Sequence, residues 1–99
     1  MGIKLKVVTP DGIFIEDKEV DIVNIQSVDG DMGILQNMIP LVTALKIGTT
    51  TFRVGDKVTR VHMHRGLVTV DGKQCKIITE RLYLVDEQGR KIDTPQKLV

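Results

Sequence analysis

Aromatic side chains are nearly missing from this chain of 99 residues: it has no Trp, and only Tyr83, Phe14 and Phe52. That scarcity excludes a stacking platform for nucleic-acid bases, and the core has to be built from Val, Ile, Leu and Met. Cysteine is reduced to Cys75, which rules out an intramolecular disulfide. No apolar run approaches the roughly 20 residues that a membrane helix requires. Lys4 and Lys6 interrupt the first apolar residues, where a signal peptide needs them unbroken. A dominant charge is lacking too. Fourteen basic residues against thirteen acidic ones leave +1, which gives no pull toward nucleic acid or anionic lipid. What remains is ordinary for a globular chain, 41% apolar and 27% charged. The length suits one domain, burying roughly 65% of the surface its unfolded form exposes.

Periodicity points to strands. Ile3-Lys4-Leu5-Lys6-Val7 alternates, placing Ile3, Leu5 and Val7 on one face. Pro10-Asp11-Gly12 reads as a turn, Ile13 to Glu16 as a second strand, and Asp17-Lys18-Glu19 as a charged turn. Val20 to Ser27 follows as a third strand, apolar enough on both sides to be covered twice. Gly30-Asp31-Met32-Gly33 reads as a tight polar turn. Asn37 and Pro40 then punctuate an apolar stretch, making a corner between two short strands. Leu41 to Ile47 alternates weakly. Thr49 to Val54 and Lys57 to His64 form a hairpin joined by Gly55-Asp56, and Leu67 to Val70 returns through Asp71-Gly72 to Lys73 to Thr79. A last short strand lies around Leu82 to Val85, with Asp86 to Lys91 as an exposed connection. Turn signals spaced roughly 8 to 12 residues apart define an all-β chain, an antiparallel sandwich or barrel. Thr94 as cap and Pro95 at the first helical position then mark a helix start just where the sequence stops.

The segment from Gly30 to Thr43 resembles the Gly-acid-apolar-Gly-Ile-x-x-x-His-x-Pro-Leu-x-Thr pattern of the epsilon subunit of bacterial and chloroplast F-type ATP synthases. Leu5-x-Val7-Val8-Thr9-Pro10 is similar to that family's first strand, and Arg65-Gly66-Leu67-Val68-x-Val70-Asp71-Gly72 to its Gly-Gly-x-x-x-Val-x-x-Asn segment. Departures are Met38 for the usual His, Arg65 for the first Gly of the pair, and Asp71-Gly72 for the Asn turn. The resemblance implies an antiparallel β-sandwich of about ten short strands, with a short tail where the family's helical hairpin begins. Residues 1–86 are then the sandwich domain, and 87–99 a linker with the start of the helical region. It implies a non-catalytic central-stalk subunit of a proton-translocating complex, docking the gamma subunit to the membrane rotor ring and coupling ion flow to ATP synthesis or hydrolysis. By position, Asp29, Gly30, Asp31 and Met32 match the loop that meets the ring, and Met38, Ile39, Pro40 and Thr43 the face that meets gamma. The partners are thus gamma and the ring subunits. The place is the cytoplasmic face of the bacterial plasma membrane, or the stromal face of the thylakoid, with membrane contact only through the complex.

Other chemistry finds less support. His62 and His64 stand two apart on a strand and share a face, with Cys75 a third donor if a hairpin brings it near. A third ligand at a recognisable spacing is missing, so these read as surface or interface histidines, with no metal and no cofactor. Lys18 follows Ile15-Glu16-Asp17 without the small or Met flanks of a lipoyl or biotinyl carrier tip. No nucleophile elbow or phosphate-binding glycine loop is present. Ile92-Asp93 matches only the first two positions of the family's ATP motif, so nucleotide binding is not carried over. Because the family's inhibitory role resides in the terminal helices, this chain is expected to support assembly and coupling with little helix-dependent inhibition. The alternatives are a free-standing β-sandwich binding or carrier module, and a small metal enzyme using His62 and His64.

Overall fold

β-Branched residues and short turns dictate short strands, and the computed structural model, which describes residues 2–38 and 40–93, holds no other regular element among them. In chain order these are β1 (Ile3–Thr9), β2 (Gly12–Val20), β3 (Ile22–Ser27), β4 (Gly30–Ile34), β5 (Leu41–Leu45) and β6 (Gly48–Val54). They continue as β7 (Lys57–Met63), β8 (Gly66–Val70), β9 (Gln74–Thr79), β10 (Leu82–Val85) and β11 (Lys91–Asp93). Hydrogen bonding runs in the order β11-β10-β7-β6-β3-β5-β8-β9-β1-β2, with β4 on β3. Among the described residues every pairing is antiparallel except β1 with β9. The β3–β5 join is a single residue pair, Ser27 with Leu45, and there the sheet turns on itself to become a sandwich.

The alternation seen in the sequence becomes the core. Ile3, Leu5 and Val7 are fully buried on one face of β1, and Phe14 and Phe52 are the largest buried side chains. Val23 and Ile25 of β3, Val61 and Met63 of β7, Val68 and Val70 of β8, and Ile77 of β9 join the same cluster. At about 1.5–3 kcal/mol for each large apolar side chain, this burial is the main term holding the two layers together.

Local expectations change at five places. Asp17-Lys18-Glu19 is not a turn: it lies inside β2, where Glu16 and Asp17 together oppose Lys6 between the pairs Leu5–Lys18 and Val7–Ile15. Asp17 takes φ 50° at this bulge, which the short polar side chain tolerates. The expected third strand is divided, since Val20 closes β2 and Asp21 makes a corner before β3. There the Asp21 carboxylate accepts the Gly55 N–H at 2.8 Å. Only one side of β3 is covered, Asn24 being exposed. Gly30 to Gly33 is strand rather than turn. The hairpin reverses at Val28-Asp29, one pair earlier, because Gly30 at φ 117° closes the reversal and Gly33 has no such φ. In the β8–β9 hairpin the Asp71 N–H donates to the Gln74 carbonyl at 3.1 Å, so Gly72-Lys73 are the central residues. Finally, the connection expected over Asp86 to Lys91 ends at Arg90, because Lys91 already begins β11, a strand laid on β10. The helix start at Thr94 and Pro95 lies outside the described residues.

Candidate docking surfaces

The tip of the β3–β4 hairpin is built by Ser27, a buried hydroxyl that donates to the Gly30 carbonyl at 2.7 Å and accepts the Asp29 N–H at 3.1 Å. Two bonds tether the tip to β5: the Val28 N–H donates to the Ala44 carbonyl at 3.0 Å, and the Thr43 hydroxyl donates to Asp29 Oδ2 at 3.3 Å. Asp29, Gly30 and Asp31 are exposed, whereas Met32 leans onto the core. The tip is therefore a held, acidic projection with one apolar root.

The segment between β4 and β5 is anchored by Asn37, whose N–H donates to the Gly72 carbonyl at 2.7 Å from a left-handed φ of 66°. Met38 is half-buried against the core, and its sulfur accepts the Leu35 N–H at 3.1 Å. Pro40 is exposed; Ile39 lies outside the described residues. Thr43 faces inward and is buried. Its bond to Asp29 brings the two expected patches into contact, while its own side chain is not on the outer surface.

Sequence reasoning missed a third feature. Register places Ala44 opposite Leu67, Leu67 opposite Ile78, Ile78 opposite Val8, and Val8 opposite Ile13. Directly paired residues share a face, so one apolar row crosses β5, β8, β9, β1 and β2 on the outside of the sandwich. Ile13 is 36% exposed, Leu67 44% and Ile78 45%, with Val42 at 67% in the next row. That second row runs Val42, Thr69, Lys76, Lys6, setting two lysines beside the apolar band. The signal was legible as consecutive apolar pairs, Val7-Val8, Leu67-Val68 and Ile77-Ile78, in which one member must face out.

On the opposite layer, His62 and His64 do share a face, their ring centroids 5.6 Å apart and nearly perpendicular. His62 stacks on Tyr83 at 4.9 Å, and Lys91 Nζ lies 5.5 Å from the tyrosine centroid. Partial burial, then the neighbouring His64 charge, hold the His62 pKa below its ordinary value. Cys75 does not join them. It is fully buried on the inner face of β9, and burial pushes its thiol up to about 12. Among the described residues no three His, Cys, Asp or Glu side chains group as a metal site.

Two packed layers, a tethered tip and an exposed apolar band together define a small β-sandwich with candidate contact surfaces. Comparison with known proteins gives it a family. The beta-sandwich domain of the ATP synthase delta/epsilon chain matches residues 2–85. The ATP synthase epsilon chain of Thermotoga maritima is 38% identical over 90 residues, 91% of this chain and 77% of its own length. That of Alkaliphilus metalliredigens is 38% identical over 77 residues, 78% of this chain and 57% of its own length. This chain therefore belongs to the ATP synthase epsilon chain family. Two solved structures share the fold. A chain of the Euglena gracilis mitochondrial ATP synthase OSCP/F1/c-ring assembly gives a TM-score of 0.82 at 22% identity, over 87% of this chain and 55% of that one. A chain of the Tetrahymena thermophila mitochondrial ATP synthase central stalk and c-ring gives 0.71 at 13% identity, over 84% and 66%.

Proposed function

We propose that this chain is the β-sandwich of a non-catalytic rotor-stalk subunit in a proton-translocating F-type ATP synthase, docking gamma to the membrane rotor ring. The observation that carries the reading is the apolar row from Ala44 to Ile13. Burying such a band needs no polar partners, and it lies on a rigid sheet able to transmit torque. Pro40 and half-buried Met38 lie just before β5, at the margin of this face, and extend the gamma contact with Ile39. Thr43 contributes by holding the hairpin tip through Asp29. Asp29, Gly30, Asp31 and the root residue Met32 are the ring contact, where exposed carboxylates face basic or amide groups of ring loops. Residues 1–86 form the sandwich domain and 87–99 the connection toward a helical region, with β11 strapped across β10 inside that connection. The subunit belongs on the cytoplasmic side of the bacterial membrane, or the stromal side of the thylakoid, and reaches the membrane only through the complex.

Co-purification from native membranes tests this. A tagged chain is expected to bring down gamma and the ring subunits, and Asp31→Lys in the tip to weaken the ring contact while leaving gamma bound. Recovery of the tagged chain free of both would refute the reading.

A further inference from the structure

We propose that His62 and His64 form a two-imidazole chelate for a borderline transition-metal dication, zinc, nickel or copper, on the outer face of the β6–β7–β10 layer. The site is independent of the docking surfaces, which lie on the hairpin tip and on the opposite layer.

Geometry carries the argument. Two imidazoles that share one tetrahedral ion at the usual metal–nitrogen distance of about 2.0–2.1 Å have ring centroids about 5.2 Å apart. The observed spacing is 5.6 Å, so rotation of the His64 ring beside a fixed His62 closes the chelate and the backbone need not move. That backbone is firm, because β7 is paired on one side by β6 and on the other by β10, and the His64 N–H is held by the Arg81 carbonyl at 3.0 Å. Both rings are half-exposed, which leaves an ion's remaining positions open to water or an anion. Stacking on Tyr83 fixes the plane of His62, the orienting role that a supporting group performs at a metal site.

The surroundings set the preference. Arg60 precedes His62 by two residues on β7, Tyr83 lies on β10 and Arg81 just before it, Lys91 lies on β11, and Thr49 of β6 pairs with His62. No carboxylate belongs to this set, so hard oxygen-seeking calcium and magnesium are disfavoured. The neighbouring cations favour an anion, chloride or a carboxylate, as a further ligand.

Calorimetric titration of the chain with Zn2+ and with Ni2+ at about pH 7.5, beside His62→Gln and His64→Gln, tests the site. Expected are one ion per chain, a loss of at least about tenfold in affinity in each variant, no heat with Ca2+, and loss of binding under acid. Ring resonances of the unsubstituted chain give a second readout: both histidines must shift together on addition of Zn2+. Affinity that survives in both variants, or histidine resonances that stay in place, overturns the proposal.

Discussion

Replacing Leu67 and Ile78 together by Thr should weaken docking to gamma while leaving the free chain folded. The two residues pair directly across β8 and β9 and are 44% and 45% exposed, so about half of each side chain is already covered by its own sheet. Complete burial of a large aliphatic side chain stabilises by about 1.5–3 kcal/mol, so covering the exposed remainder contributes about 0.7–1.3 kcal/mol per residue on docking. The pair together then accounts for about 1.3–2.7 kcal/mol, a loss of about tenfold to a hundredfold in affinity. Threonine is the appropriate replacement because it keeps a β-branched carbon and fits a pleated surface, and its hydroxyls add a desolvation cost only at a dry interface. Free-chain stability should move by less than about 0.5 kcal/mol, as for other surface changes. Calorimetric binding to purified gamma, paired with urea unfolding, reads both quantities. Unchanged affinity in a folded double variant would refute the apolar row as the gripping surface. A large loss of stability would instead show that these side chains belong to the core.

Other consequences are independent of docking. Cys75 is buried with its thiol pushed up to about 12, so a thiol reagent should react at the rate of opening of the sandwich and rapidly in urea; fast labelling of the native chain would contradict this burial. The folded pKa of His62 lies below its unfolded value, so the folded state binds fewer protons; stability is complete above about pH 6.5 and declines as pH falls through that value toward the folded one. Urea midpoints for the chain and for His62→Gln should diverge near neutrality and converge under acid, and parallel curves would remove the histidine as the cause. Gly66 begins β8 with ordinary φ, yet a methyl there would overlap the Ile78 carbonyl oxygen. Gly66→Ala should cost about 1–3 kcal/mol in denaturant unfolding, and a neutral result would mean that the β8–β9 pairing opens easily.

Periodicity made much of the fold legible because period two is a direct consequence of the pleat. Ile3, Leu5 and Val7 alternate with lysines and are buried as read, and the β6–β7 hairpin follows from Gly55-Asp56. Turn positions slipped where side chains rather than residue type decide. Ser27 and Asp71 close their reversals with their own oxygens, Asp71 accepting the Lys73 and Gln74 N–H groups. One turn centre therefore falls at Val28-Asp29, before the Gly30 to Gly33 reading, and the other one place beyond Asp71-Gly72. Lys91 to Asp93 was illegible for another reason. A three-residue edge strand carries no periodic signal and exists only because β10 offers an edge to pair with.

The apolar row shows why an outward-facing apolar surface is the harder thing to read. Val8, Leu67 and Ile78 have the same chemistry as their buried neighbours Val7, Val68 and Ile77, and composition cannot tell a residue awaiting a partner from one already packed. Register decides it. A slip of β1 by one residue along β9 would turn β1 over, placing Val8 inside and leaving Val7 exposed. Two bulges take up two extra residues in β2, one where Glu16 and Asp17 oppose Lys6 and one at Phe14 between the pairs Val7–Ile15 and Val8–Ile13. Ile13 thereby stays aligned with Val8 while Lys18 pairs with Leu5. Deleting Asp17 should therefore leave Glu16 alone opposite Lys6 and keep Lys18 on Leu5 and Ile15 on Val7. Ile13 then stays in the row and Phe14 stays buried, and proteolysis at Phe14 or weakened gamma binding in the deletion variant would refute this register.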